Sequence, residues 1–204
     1  MKIGNTINII SIIFISQVCL AQNKNMTRPV SPIDFFKESI TLSVDESTAS
    51  VSGIYYFRNN SDNAGRMPIL FPFFVDSTSI FPDTMCAYIV NEKDTTYLDC
   101  RNTGQHEAVM IAIPLSPNCT TVWHLDYRQK IFGPRATYIL TSTGAWGKPL
   151  EEATYRFIVP KAFKDVQIWP EADSTLVKGK SQEYLAHRID FMPGQDMTIH
   201  WKSK

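Results

Sequence analysis

His124-Leu125-Asp126 is the tightest grouping of metal-ligating or proton-transferring side chains in this 204-residue sequence. On a strand, residues two apart share a face, so His124 and Asp126 point the same way. With a third ligand they could hold a metal, and a hydrolase using that metal is one reading. The other is a solvated strand face opposite Trp123, Leu125 and Tyr127, and it is the working expectation. The other histidines, His106, His187 and His200, add no i, i+4 pair. His187 shares a face with Leu185 and Ile189 and reads as a hydrogen-bonded core histidine, while His200 alternates with Thr198 and Lys202 and reads as exposed. Glu151 and Glu152 are adjacent, so on a strand they face opposite ways and make a poor acid/base dyad. G-x-S-x-G, S-x-x-K, G-x-x-x-x-G-K and H-E-x-x-H are all missing from the sequence. No catalytic residue and no cofactor is therefore assigned.

Trp146 stands apart from the other tryptophans because Gly144 and Gly147 free the backbone around it. It either stacks on a sugar ring or a partner, or folds back as a plug over one end of the core. Trp123 and Trp201 lie in strand patterns and read as core.

The elements that must carry these residues are strands. Ile40, Leu42 and Val44 alternate with small polar residues, and Val51, Gly53, Tyr55 and Phe57 share one face of the next run. Val109, Ile111, Ile113 and Leu115 make the most regular alternation. Trp123, Leu125 and Tyr127 follow, and then Ala153, Tyr155, Phe157 and Val159. Pro72 has no N–H for a ladder, so the run ending at Phe74 suits an edge strand or a bulge. Ser31-Pro32-Ile33-Asp34 has a helix-start pattern, though it serves equally as the lead-in to a strand. The fold expected is an all-β antiparallel sandwich of ten to twelve short strands, with a β-barrel as the alternative.

Composition places the chain among ordinary globular proteins, with 44% hydrophobic and 20% charged residues. Twenty basic residues balance twenty acidic ones. With no basic excess or basic run, nucleic acid is not an expected partner. At the N-terminus, Lys2, the apolar run Ile9–Ile15 and the small residues Cys19 and Ala21 read as a secretory signal peptide cleaved after Ala21. The expected division is signal peptide 1–21, polar lead 22–37 and one β-sandwich domain 38–204. No later stretch is long and apolar enough to span a bilayer.

Val51-Ser-Gly-Ile-Tyr-Tyr-Phe-Arg-Asn-Asn, Ile69-Leu-Phe-Pro-Phe, Gly144-Ala-Trp146-Gly and Phe191-Met-Pro-Gly-Gln-Asp196, together with the Ala21-Gln22 junction, resemble exported Bacteroidetes-type β-sandwich proteins of unknown function. The resemblance implies a fold and an address, the periplasm or cell surface, and no activity. Hosts of that type O-glycosylate an aspartate followed by serine or threonine and then a small or aliphatic residue. The resemblance thus marks Ser77, Thr84, Thr95 and Ser174 as acceptors, in segments that otherwise read as ordinary turns and strand starts.

Export permits disulfides, and Cys86, Cys100 and Cys119 follow the signal. A hairpin turn centred on Lys93 sets Tyr88 opposite Leu98 and Cys86 opposite Cys100, within bonding reach. A two-residue turn at Glu92-Lys93 would set Cys86 against Asp99 instead, with the sulfurs on opposite faces. The first register is expected, with a Cys86–Cys100 bond and Cys119 free. The functional expectation is a non-catalytic binding or structural module whose partner is an envelope protein or a glycan. The alternatives are the hydrolase at His124 and Asp126, or an accessory subunit of an envelope complex.

Overall fold

The computed structural model describes residues 31–202 apart from 93, 105 and 106. The expected signal peptide, most of the polar lead and His106 lie outside the described residues. Among the described residues fourteen strands run in chain order: β1 (Ile33–Val44), β2 (Thr48–Asn59), β3 (Gly65–Pro72), β4 (Thr84–Val90), β5 (Thr95–Leu98), β6 (Cys100–Asn102), β7 (Ala108–Leu115), β8 (Thr120–Lys130), β9 (Arg135–Tyr138), β10 (Leu150–Pro160), β11 (Lys164–Trp169), β12 (Ser174–Lys178), β13 (Ser181–Phe191) and β14 (Met197–Lys202). A 3-10 turn, Thr141–Trp146, joins β9 to β10. Residues 33–37 belong to β1, so the lead-in to a strand is what forms there and the helical start is not. Two strands exceed the expectation. The segment 95–102 breaks at Asp99 into β5 and β6, and β12 is exposed at all five positions and so carries no alternation.

The strands form three sheets, none closed into a barrel. The largest has eight strands in the order β12-β13-β10-β1-β2-β8-β4-β5, and two three-stranded sheets have the orders β11-β14-β9 and β3-β7-β6. The fold is an all-β sandwich. One pairing departs from the antiparallel expectation: β1 runs parallel to β10. These two strands are remote in sequence, so no hairpin constrains their relative direction.

The core lies between one face of the large sheet and the small ones. Ile40, Leu42, Tyr155, Phe157, Trp123 and Leu125 meet Ile111, Ile113, Met197 and Ile199 there, all at most 1% exposed. Burying this much apolar surface, at about 25 cal/mol per Å², is the main term holding the layers together. A bulge in β1 between Phe35 and Lys37 admits Phe36 as an extra residue. Phe35 and Glu38, three apart, therefore both face inward.

Three polar side chains pin the loops. Buried Asn59 donates from Nδ2 to the carbonyls of Asn63 and Ser116. Buried Gln129 donates to those of Phe74 and Ile80. Asp196 Oδ1 accepts from the Leu140 and Thr141 amides and the Thr141 hydroxyl, fixing the start of the 3-10 turn. Each meets backbone groups that would otherwise lose water without replacement.

The second layer has a seam. Strand β3 is an edge strand, as Pro72 requires, and β9 is the edge of the other small sheet. The two lie side by side: the Phe71 and Tyr138 rings are 6.4 Å apart, and the Arg135 guanidinium sits over the Phe74 ring at 5.2 Å. No ladder joins them among the described residues.

Candidate functional site

The outer face of the large sheet is covered by no other described strand. Its registers assemble a grid of small polar side chains from four neighbouring strands. Thr41 on β1 pairs with Ser52 on β2, Ser52 with Asp126 on β8, and Asp126 with Cys86 on β4. One row along, Ser43 pairs with Ser50, Ser50 with Arg128, and Arg128 with Thr84. Because these side chains are short, the grid forms an open hollow of about 500 Å³. Alternation places them there: the inward partners Leu42, Val51, Tyr127 and Ala87 hold the opposite face in the core.

Beside the hollow, His124 and Asp126 do point the same way, and Tyr88 on β4 engages both. Its ring stacks on the His124 imidazole at 4.8 Å and 7°. Its hydroxyl donates to Asp126 Oδ2 at 2.9 Å. Asp126 Oδ1 is shielded from solvent and has no partner. Burial pushes the Tyr88 hydroxyl pKa up, helped by the Asp126 charge. Burial pushes the His124 imidazole down, opposed by Asp126. His124 is half-buried beside Tyr88, on the sheet face opposite buried Trp123, Leu125 and Tyr127. Arg128 is held by Asp83 through two hydrogen bonds, 3.2 and 3.3 Å. Among the described residues no group of three or more His, Cys, Asp or Glu side chains is placed to hold a metal.

The remaining candidates fall elsewhere. Trp146 packs edge-on against Phe57 at 5.1 Å and Phe35 at 5.8 Å, taking the plug position over one end of the core. His187 is exposed on the outer face and meets Glu152, so the core histidine expected there is corrected. Glu152 also binds Lys37, while Glu151 binds Arg58. The Cys86–Cys100 expectation is corrected too. Strands β4 and β5 pair Tyr88 with Tyr97 and Ala87 with Leu98, one residue out of the expected register. The turn is the two-residue one, closed between Asn91 and Asp94. Cys100 then leaves this sheet to pair with Ile111 on β7, and all three described cysteines are free thiols. Ser77, Thr84 and Ser174 are exposed and Thr95 is half-buried. Thr84 lines the hollow itself, so a glycan there would occupy it.

A second polar site escaped sequence reasoning. Glu38, 2% exposed, accepts a hydrogen bond from Tyr155 at 2.7 Å. Burial pushes its carboxyl up to about 7, against the lowering effect of that bond. Nearby the buried Tyr55 and Tyr138 hydroxyls bond each other at 2.9 Å. Glu38 sits where plain alternation gives an apolar residue. That break in the pattern of β1 was the available signal.

No protein-family model matches the chain, and no curated protein does. Solved structures do match in fold. A protein of Legionella pneumophila provisionally named as nutrient-binding superposes with a TM-score of 0.60 at 14% identity, over 84% of this chain and 68% of that one. An M1 zinc metallopeptidase of Deinococcus radiodurans superposes with a TM-score of 0.51 at 10% identity, over 82% of this chain. The match spans 42% of that peptidase. At such identities the likeness is one of fold. No helix among the described residues is long and apolar enough to cross a membrane.

Proposed function

We propose that the protein works in the periplasm or at the cell surface as a non-catalytic binding module that takes a glycan on the outer face of the large sheet. One observation carries the reading. The hollow sets five hydroxyls, Thr41, Ser43, Ser50, Ser52 and Thr84, beside Asp126 and Arg128 on a rigid sheet. Sugar hydroxyls both donate and accept, and this set offers both across a broad, shallow surface. The Tyr88–His124 stack borders it and supplies an aromatic edge. The signal-peptide pattern supports the address, and a structural neighbour named for nutrient binding agrees with a binding role. A metal hydrolase at His124 and Asp126 would have to break the Tyr88 contacts to both residues.

Calorimetry with a panel of soluble oligosaccharides tests it. Ser52 is exposed on the outer face, so Ser52→Tyr should fill the hollow and leave the fold intact. Saturable binding lost in Ser52→Tyr is the expected result. Binding unchanged in that variant, or no binding across the panel, would refute the proposal.

A further inference from the structure

The seam between the two small sheets leads to a pocket of about 50 Å³ with Glu38 in its wall. We propose that this pocket binds a small ammonium group, the end of an alkylamine cation, with Glu38 as counter-ion and the surrounding rings as its walls. The site is separate from the outer sheet face and does not depend on the glycan reading.

The placement follows from the fold. The β1 bulge turns Glu38 inward. Tyr55 and Trp123 come from neighbouring strands of the same sheet, Phe71 and Tyr138 from the two facing edges β3 and β9, and Thr143 from the 3-10 turn that Asp196 holds. Leu70, 50% exposed, and exposed Ser142 mark the side open to solvent. A longer ligand can leave its tail there.

One buried polar atom at the pocket lacks a partner, and the Glu38 carboxyl has a second oxygen to spare. Glu38 uses Oε1 for Tyr155, and Oε2 has no hydrogen bond among the described residues. Trp123, 1% exposed, has its indole N–H buried without an acceptor. An ammonium has no lone pair to offer that N–H, so the N–H reports on the pocket and is not a contact for the guest. One water needs about 10–15 Å³ of such volume, so the pocket admits a group of roughly three heavy atoms. The wall is mostly aromatic, and ring faces attract cations most strongly away from water. An apolar guest would leave Glu38 unpaired, and an anion would be repelled by its carboxylate. A cation pairs with the Glu38 carboxylate and lies against the aromatic wall.

The titratable groups facing Glu38 are tyrosines from three strands: Tyr155 on β10, Tyr55 on β2 and Tyr138 on β9. Arg188 acts on Tyr155, and Tyr127 and Asp126 act on Tyr55. No Lys, Arg or His is among the described residues lining the pocket. With the free carboxyl held near 7, a bound ammonium drives Glu38 to ionise. The carboxylic acid gives its proton to solvent as the cation enters, and the site remains neutral overall.

Titration of the full chain with ethylammonium chloride, with ethanol as the neutral isostere, tests the proposal by calorimetry and by NMR of the Trp123 indole N–H. The expected result is saturable binding of ethylammonium but not of ethanol. Affinity should rise about tenfold from pH 6 to pH 8, with proton release seen as a buffer-dependent heat. Glu38→Gln should lose the binding. The wild-type pH dependence stands as an independent readout should that variant fold poorly. Equal binding of ethanol, pH-independent binding, or no saturable change of the Trp123 resonance, as expected of a pocket holding only water, would each overturn it.

Discussion

Replacing Glu38 with glutamine should make the protein more stable at alkaline pH and change little in mild acid. Glu38 is buried and its carboxyl is raised from 4.5 to about 7. A group raised in the folded state lends stability that is complete below its unfolded value and is lost as pH climbs through its folded value. For Glu38 the loss begins near pH 4.5 and is complete above about pH 7. At about 1.4 kcal/mol per pH unit, the wild type forfeits about 3 kcal/mol across that window. Glutamine does not titrate, and its amide oxygen can still accept the Tyr155 hydroxyl. Urea unfolding of both proteins at pH 5 and pH 8.5 measures the difference directly, and the m-values check that the unfolding transition is the same. Other groups cancel in the comparison, including Glu183 and Asp173, whose carboxyls are held low by Arg156 and by the His187 amide respectively. A wild-type-minus-variant difference that stays flat between the two pH values would show that Glu38 is not ionising in a buried site.

Three further outcomes follow from particular contacts. A Cβ at Gly53 would overlap the Tyr55 hydroxyl, so Gly53→Ala should cost about 1–3 kcal/mol and alter the near-UV signal of the Tyr55–Tyr138 pair. An unchanged urea midpoint would contradict that packing. Trp146→Ala should lower stability by about 2 kcal/mol, because it removes an indole half-buried on Phe35 and Phe57. Oligosaccharide binding should survive it, and loss of binding without loss of stability would return Trp146 to the ligand site. Alkylation of the denatured, unreduced protein should label Cys86, Cys100 and Cys119, whereas a peptide joining Cys86 to Cys100 would show the β4–β5 hairpin shifted by one residue.

Strands with one buried face were legible in the sequence, because burial imposes a period of two. Val109, Ile111 and Ile113 on β7 and Trp123, Leu125 and Tyr127 on β8 fall on the expected face and are buried. Pro72 gave away the edge strand. What pattern cannot carry is pairing between distant strands. The parallel β1–β10 contact and the two separate small sheets leave no local trace. Register was half-legible: the correct hairpin was one of two that the turn allowed, and a one-residue slip decides which face every side chain takes. His187 was misassigned because Leu185 and Ile189, its face-mates, lie on the outer side of β13, with Ile189 65% exposed. The hydroxyl grid was invisible for a similar reason. Thr41, Ser52 and Asp126 become neighbours only through the order β1-β2-β8.

The most direct test of the glycan-binding face is amide chemical-shift mapping of the intact protein during titration with the oligosaccharide that binds best. The account predicts shifts concentrated at Thr41, Ser43, Ser50, Ser52, Thr84, Cys86, Asp126 and Arg128, with Tyr88 and His124 at their border. Shifts confined to the loops around Trp146 or to other surfaces, or none at saturating sugar, would contradict it.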